Sequence, residues 1–348
     1  MNDLASFDVN GPGIAGNLFG LPFNPESAKV VLLPVPWEAT VTYHTGTSDG
    51  PKAILDASHQ IDFFHREIPD AWRLGVAMAP IPDDLRTTNE QLRVLVDRCH
   101  AAPDQAAPLI EKVNEACGNL NIYVQQQAGK LLSQGKLVGL VGGDHSTPLG
   151  LLRALAEKHE RFGILQIDAH ADLRKAYEGF AFSHASVMYN AMKSPSISRL
   201  VQVGIRDLCE AEYQVIERGG GRIHTFFDDD LKRKLSAGIS WEKQCEEMIH
   251  ELPKKVYVSF DIDGLDPRYC SHTGTPVPGG LEFHQAVELI RALALSGRTI
   301  IGFDLTEVAP GPGDDWDANV GARLLWQLSC WAGVSNGWLS HTPSHTEM

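Results

Sequence analysis

Short apolar runs rich in β-branched residues recur along the chain, each ending in Gly, Asp or Pro, with longer segments of helical periodicity between them. Continuous apolar runs suit strands buried on both faces, and amphipathic segments between them supply the crossover helices that parallel strands need. The pattern predicts strands over 29–34, 137–141, 163–168, 200–203, 222–227, 256–261 and 299–304. Helical patterns fall near 50–58, 108–134, 148–160, 184–193, 209–218, 239–251, 283–296 and 316–332. Such alternation builds an α/β fold, a three-layer α/β/α sandwich with a central parallel sheet. No linker composition interrupts it, so residues 1–348 read as a single domain. Residues 66–107, rich in Pro, Ala and charge, read as an irregular surface excursion, and the polar, turn-rich stretch from 337 onward as a loose tail.

Composition narrows the function classes. A length of 348 residues with 43% hydrophobic content is enough for one large core. The net charge of −14 argues against nucleic acid, whose affinity comes from Lys and Arg neutralising phosphates, and mildly favours a small cationic ligand. Six scattered cysteines without a C-x-x-C spacing read as free thiols in a reducing compartment. The N-terminal MNDLASFDVNGPG lacks the features of a signal peptide, and no stretch approaches the roughly 20 apolar residues of a membrane span, so the expectation is a soluble, cytoplasmic protein with no membrane partner.

In open α/β sheets ligands bind beyond the carboxyl ends of the strands. Three blocks at such ends carry metal-type side chains: Gly142-Gly143-Asp144-His145-Ser146, Asp168-Ala169-His170-Ala171-Asp172, and Asp261-Ile262-Asp263-Gly264. If the third strand stays extended past Ile167, Asp168, His170 and Asp172 project to one side; Asp261 and Asp263 likewise share a strand face. Taken singly, each block has an ordinary reading as an N-cap, a turn aspartate or a hydrogen-bonded histidine. Together they supply two imidazoles and four carboxylates, whose like charges need a cation between them. That N/O set suits Mn²⁺, with Ni²⁺, Co²⁺ or Fe²⁺ as other candidates.

These blocks resemble the signature of the ureohydrolase family, which contains arginase and agmatinase: GGDHS at 142–146, DAHADLR at 168–174, SFDIDGLDP at 259–267 and FDLTEVAP at 303–310 occur in the family's order. Weaker likeness runs from about residue 30 to 332, and DAHADLR with Phe182-Ser183-His184-Ala185-Ser186 leans toward the agmatinase-like branch. The resemblance implies an arginase-like fold and two divalent metal ions per chain, Mn²⁺ first and Ni²⁺ as the alternative. His145, Asp168, Asp172 and Asp261 would hold one ion, and Asp168, His170, Asp261 and Asp263 the other. It also implies a homo-oligomer, trimer or hexamer.

The expected chemistry is attack on a guanidinium carbon by hydroxide generated between two cations, releasing urea and an amine. Asp172 would pass a proton to the departing nitrogen, Glu307 would pair with the guanidinium, and His184 would exchange protons with solvent near neutrality. His44 reads as a loop histidine, with substrate contact as its second reading. Agmatine is the first substrate by branch resemblance; free guanidine, guanidino acids and biguanides are the alternatives. Arg174 stands where arginase would use a neutral amide, which disfavours L-arginine. Tyr269-Cys270-Ser271-His272 replaces the family's small, proline-containing run and sets the pocket apart from that of an ordinary agmatinase. The competing classes are a single-zinc deacetylase of similar architecture, a non-catalytic metal-binding subunit of a hetero-oligomer, and a metal-free scaffold.

Overall fold

A computed structural model of the chain describes residue 4 and residues 7–342. One parallel sheet contains β1 (Val30–Val35), β2 (Val76–Met78), β3 (Leu137–Gly142), β4 (Phe162–Ile167), β5 (Ile197–Ile205), β6 (Ile223–Phe227), β7 (Lys255–Asp261) and β8 (Thr299–Thr306). Their spatial order is β2-β1-β3-β8-β7-β4-β5-β6. The helices are α1 (Gly50–Ala57), α2 (Asp83–Ala101), α3 (Ala107–Ser133), α4 (Leu149–Lys158), α5 (Val187–Ala191), α6 (Glu210–Glu217), α7 (Asp228–Ser236), α8 (Trp241–His250), α9 (Phe283–Leu295) and α10 (Trp316–Ser335).

The sheet is buried on both faces because alternate residues of a strand point opposite ways. On β7, Val256, Val258 and Phe260 join a core with Ile290 of α9 and Leu325 of α10, whereas Tyr257 joins a second core with Val124 of α3 and Leu152 of α4. The expected α/β/α sandwich with a central parallel sheet is therefore present. The six cysteines are free. Among the described residues no helix is long and apolar enough to cross a membrane.

All seven expected strands form, but the surface-excursion reading of 66–107 does not hold. That stretch contributes edge strand β2, paired with β1 from Val30↔Val76 to Leu32↔Met78, and the 19-residue helix α2. Helix α2 buries Leu85, Asn89, Leu92, Val96 and Cys99, a spacing that keeps one stripe inward on an otherwise polar helix. Helix α7 was also unexpected; its opening Asp228, Asp229 and Asp230 suit the positive end of a helix more than a loop. The tail is anchored as far as it is described: the Thr342 N–H donates to the Glu67 carbonyl at 2.9 Å, and His341 Nε2 lies 3.5 Å from Glu67 Oε2. Residues 343–348 of the expected tail lie outside the described residues.

Candidate metal centre

The four adjacent central strands β3, β8, β7 and β4 end at one place, and all the candidate ligands leave the sheet there. After β3 the backbone passes so close to Trp37 that a Cβ on Gly143 would sit 1.9 Å from the Trp37 carbonyl oxygen, which explains the glycine. Asp144 N–H donates to that same oxygen at 2.8 Å, and the turn delivers His145 inward. After β4 the chain bends instead of staying extended. The strand stops at Ile167, and Asp172 adopts a left-handed φ of 54°, so Asp168, His170 and Asp172 converge through a bend. Asp261 ends β7, but Asp263 lies in the 3₁₀ turn Ile262–Gly264, its N–H bonded to Asp261 Oδ1 at 2.9 Å; the two do not share a strand face.

Nδ1 of His145 lies 2.9 Å from Asp172 Oδ2, 3.0 Å from Asp168 Oδ2 and 3.3 Å from Asp261 Oδ2, and it has no hydrogen-bond partner. Nδ1 of His170 lies 3.0 Å from Asp263 Oδ2, itself a buried oxygen without a hydrogen-bond partner, and 3.7 Å from Asp168 Oδ1. Two ligand groups result, His145/Asp168/Asp172 and Asp168/His170/Asp263, each with donor atoms within 4.8 Å of one another and both containing Asp168. Asp261 adjoins the first through His145. All six predicted ligands are thus brought together.

The electrostatics reflect the crowding. Burial, and then the Asp168 charge, push Asp172 up to about 7. Burial followed by Asp263, Asp168 and Glu307 raises Asp261 well above the carboxylate range, and burial followed by Asp144 does the same for Glu307. Burial opposes charge on His145 and His170, yet the surrounding carboxylates win and raise both rings well above 6.5. Protons on these groups relieve repulsion that divalent cations would relieve better. Orphaned buried donor atoms and a mixed carboxylate/imidazole set fit such cations.

Glu307 follows β8 with a left-handed φ of 62°, a strained conformation that aims its carboxylate at the cluster. It forms one wall of a narrow slot with Thr42, His44, His184 and Gly274. The slot adjoins a cavity of about 130 Å³ lined by Asp172, Arg174, Tyr177, His184, Asp207 and Glu212. His184, at the start of the 3₁₀ turn His184–Ser186, has an unpartnered Nδ1; burial and then His170 and His145 push its ring down to about 4, so it is neutral at pH 7 rather than titrating there. His44 is at the slot, held by its N–H to the Gly274 carbonyl at 3.2 Å, which favours its second reading. The run 269–272 lines neither slot nor cavity: the Tyr269 hydroxyl donates to Glu282, Cys270 is buried against the Ile262 carbonyl, and His272 pairs with Asp317 at 3.1 Å.

Tyr177, Asp207 and Glu212 were missed in the sequence. Nothing in their local pattern marks them, because the bend at Asp172 and the β5–α6 connection bring them to the cavity. Oε2 of Glu38 accepts Gly46 N–H at 2.7 Å, the Thr47 hydroxyl at 3.1 Å and Ser48 N–H at 3.2 Å, shaping the loop that carries His44.

Comparison with known proteins agrees with this architecture. The arginase family model matches residues 28–330. The N(1)-aminopropylagmatine ureohydrolase of Thermus thermophilus is 32% identical over 320 residues, covering 92% of this chain and 96% of that protein. The guanidinobutyrase of Pseudomonas aeruginosa is 31% identical over 262 residues, 72% of this chain and 79% of that protein. The crystal structure of the agmatine ureohydrolase of Thermoplasma volcanium superposes with a TM-score of 0.72 at 23% identity, covering 96% and 97% of the two chains. Fold, cluster and relatives define a hydrolase of C–N bonds in linear amidines. The chain belongs to the arginase family.

Proposed function

We propose that this chain is a binuclear-metal ureohydrolase that cleaves a small cationic guanidino compound of the agmatine type to urea and an amine. The observation that carries the reading is the pair of ligand groups sharing Asp168 beside a slot walled by the unpartnered Oε2 of Glu307. His145, Asp168, Asp172 and Asp261 would hold one divalent ion and Asp168, His170, Asp261 and Asp263 the other, with Mn²⁺ the first choice and Ni²⁺ the second. Such a pair supplies hydroxide at neutral pH.

The chain's own residues do the rest. Glu307 Oε2 accepts N–H groups of the planar guanidinium, and the walls of the slot hold its carbon facing the cluster. Asp172, whose carboxylate lines the cavity beside the proposed metal centre, is suited to carry a proton from water to the departing nitrogen, which then leaves as an amine. His184 lines both slot and cavity with its Nδ1 unpartnered, a place from which it would relay a proton between site and solvent without holding it at rest.

Charge at the cavity supports a cationic tail. Arg174 Nε lies 3.4 Å from Glu212 Oε2, and its guanidinium covers the Tyr177 ring at 4.8 Å, so its charge is already partnered. Asp207 is largely exposed at the rim and adds a negative charge. The absence of 269–272 from the lining of slot and cavity supports an agmatinase-like pocket. We extend the reading to one domain over 1–348 and to a cytoplasmic homo-oligomer, trimer or hexamer.

The test is urea release by the Mn²⁺- and Ni²⁺-loaded protein from agmatine, aminopropylagmatine, guanidinobutyrate, free guanidine and a biguanide. Highest kcat/KM on an amine-tailed compound supports the reading. Preference for the acid, guanidine or biguanide overturns the substrate, and no urea from any of them favours the non-catalytic subunit.

A further inference from the structure

One register line crosses five neighbouring strands just beneath the metal centre. Asp304 of β8 pairs with Ser259 of β7, Ser259 with Gln166 of β4, Gln166 with Gln202 of β5, and Gln202 with Thr225 of β6. Every residue on that line is polar, and Asp304, Ser259, Gln166 and Gln202 are fully buried among aliphatic and aromatic neighbours. Gln166 precedes Asp168 by two positions, as Ser259 precedes Asp261, which places the row one layer below the strand tips.

Polar groups are costly to bury unless their hydrogen bonds are made, and here the bonds lead to two of the proposed ligands. From one side, the Thr225 hydroxyl donates to Gln202 Oε1 at 2.8 Å, Gln202 Nε2 donates to Gln166 Oε1 at 2.7 Å, and Gln166 Nε2 donates to Asp168 Oδ2 at 2.7 Å. Each amide oxygen accepts and each amide nitrogen donates along this line, so neither amide can flip without losing bonds. From the other side, Asp304 accepts the Ser259 hydroxyl at 2.8 Å and the Phe260 N–H at 3.2 Å. A serine hydroxyl has one hydrogen. With that hydrogen given to Asp304, the 2.9 Å contact between Ser259 Oγ and His145 Nε2 requires the ring to donate. One proton is thus held on Nε2, which leaves Nδ1, facing Asp168, Asp172 and Asp261, as the nitrogen that would offer its lone pair once a cation takes the place of its proton.

We propose that this buried polar row is a positioning layer: Ser259 and Asp304 hold His145 in the tautomer that can bind a metal through Nδ1, and Gln166 with Gln202 holds the Asp168 carboxylate in place. The proposal rests on the reading of His145 and Asp168 as metal ligands. Outer partners of this kind typically contribute about 10–100-fold in metal affinity.

Mn²⁺ stoichiometry and affinity, read from the EPR signal of free Mn²⁺, are measured for the wild type, Ser259→Ala, Ser259→Thr, Gln166→Met and, as a reference, His145→Gln, with melting temperatures alongside. Ser259→Ala should weaken one of two Mn²⁺ sites by about 10–100-fold, and Ser259→Thr, which keeps the hydroxyl, should recover most of that loss. Gln166→Met should weaken both sites, because Asp168 belongs to both ligand groups. Wild-type Mn²⁺ affinity in Ser259→Ala and Gln166→Met, with only the melting temperature lowered, overturns the positioning role and leaves the row a stabiliser of the sheet. Wild-type binding by His145→Gln overturns instead the underlying ligand assignment. The Co²⁺-loaded wild type gives a readout independent of any variant's folding: a hyperfine-shifted, solvent-protected N–H resonance from the Nε2 proton is expected, and its absence counts against the proposal.

Discussion

Oε1 of Glu307 accepts the backbone N–H of His145 at 2.8 Å, while Oε2 of the same carboxylate has no hydrogen-bond partner. One oxygen is tied to the chain segment that carries a proposed metal ligand, and the other faces the slot. The Glu307 N–H also donates to the Gly143 carbonyl at 2.7 Å, so two contacts with the 143–145 turn fix the proposed substrate clamp relative to the proposed metal centre.

Glu307→Gln should keep that tie through its amide oxygen but lose the charge facing the guanidinium. A charge-assisted hydrogen bond contributes about 1.5–3 kcal/mol, so kcat/KM should fall by roughly 10–150-fold while metal content stays at the wild-type level. Loss of metal in this variant would assign Glu307 to the ligand set instead.

Gly274→Ala probes the same slot from the opposite wall. A Cβ there would lie 2.8 Å from Glu307 Oε2, so the carboxylate must move. Activity should drop at least about tenfold, the loss expected for a small misplacement at the reacting centre. Metal content and melting temperature should change little, and an unaltered KM would mean that the slot is not where the guanidinium sits.

Asp168→Ala should remove at least one of the two ions and nearly all turnover, since Asp168 belongs to both ligand groups. Metal analysis alongside urea release checks this; two ions retained per chain would refute the shared-ligand assignment. His184→Asn, by contrast, should lower turnover with both ions in place, and metal loss would show that His184 has been given the wrong role.

The pH dependence of the metal-free protein has a definite sign. His145 and His170 are raised well above 6.5, Asp261 and Glu307 are raised well above the carboxylate range, and Asp172 is pushed up to about 7. Between pH 6 and 8 the folded state therefore holds protons that the unfolded chain releases, so its stability falls as pH rises. Asp168, held low by His145 and His170 against its burial, gives a contribution already complete in this range, and His184, pushed down to about 4, opposes the trend only below about 6.5. Cations replace the protons. The rise in melting temperature on adding Mn²⁺ should consequently be larger at pH 8 than at pH 6, and an equal or smaller rise at pH 8 would contradict the site's electrostatics.

Part of what the sequence left unread was present in it as a weak signal. Leu85, Leu92, Val96 and Cys99 follow a helical spacing, but polar and charged residues outnumber them so heavily on α2 that the stripe is easily taken for a surface loop. Strand β2 is three residues long, too short for any periodicity to show. The row from Asp304 to Thr225 is different in kind: five polar residues in five separate strands have no common sequence signature, and only the register of the sheet aligns them.

Amino-acid order alone determined the alternation of strands and helices, the both-faces burial of the sheet and the six side chains proposed as ligands, because each depends on residue type and short spacing. The tertiary structure decided how those side chains meet. His145, Asp168 and Asp261 are separated by 23 and 93 positions, and what brings both carboxylates within 3.3 Å of His145 is the order of the central strands, β3-β8-β7-β4. Strand order is settled by how helices pack across a whole sheet, and a local pattern carries no information about it.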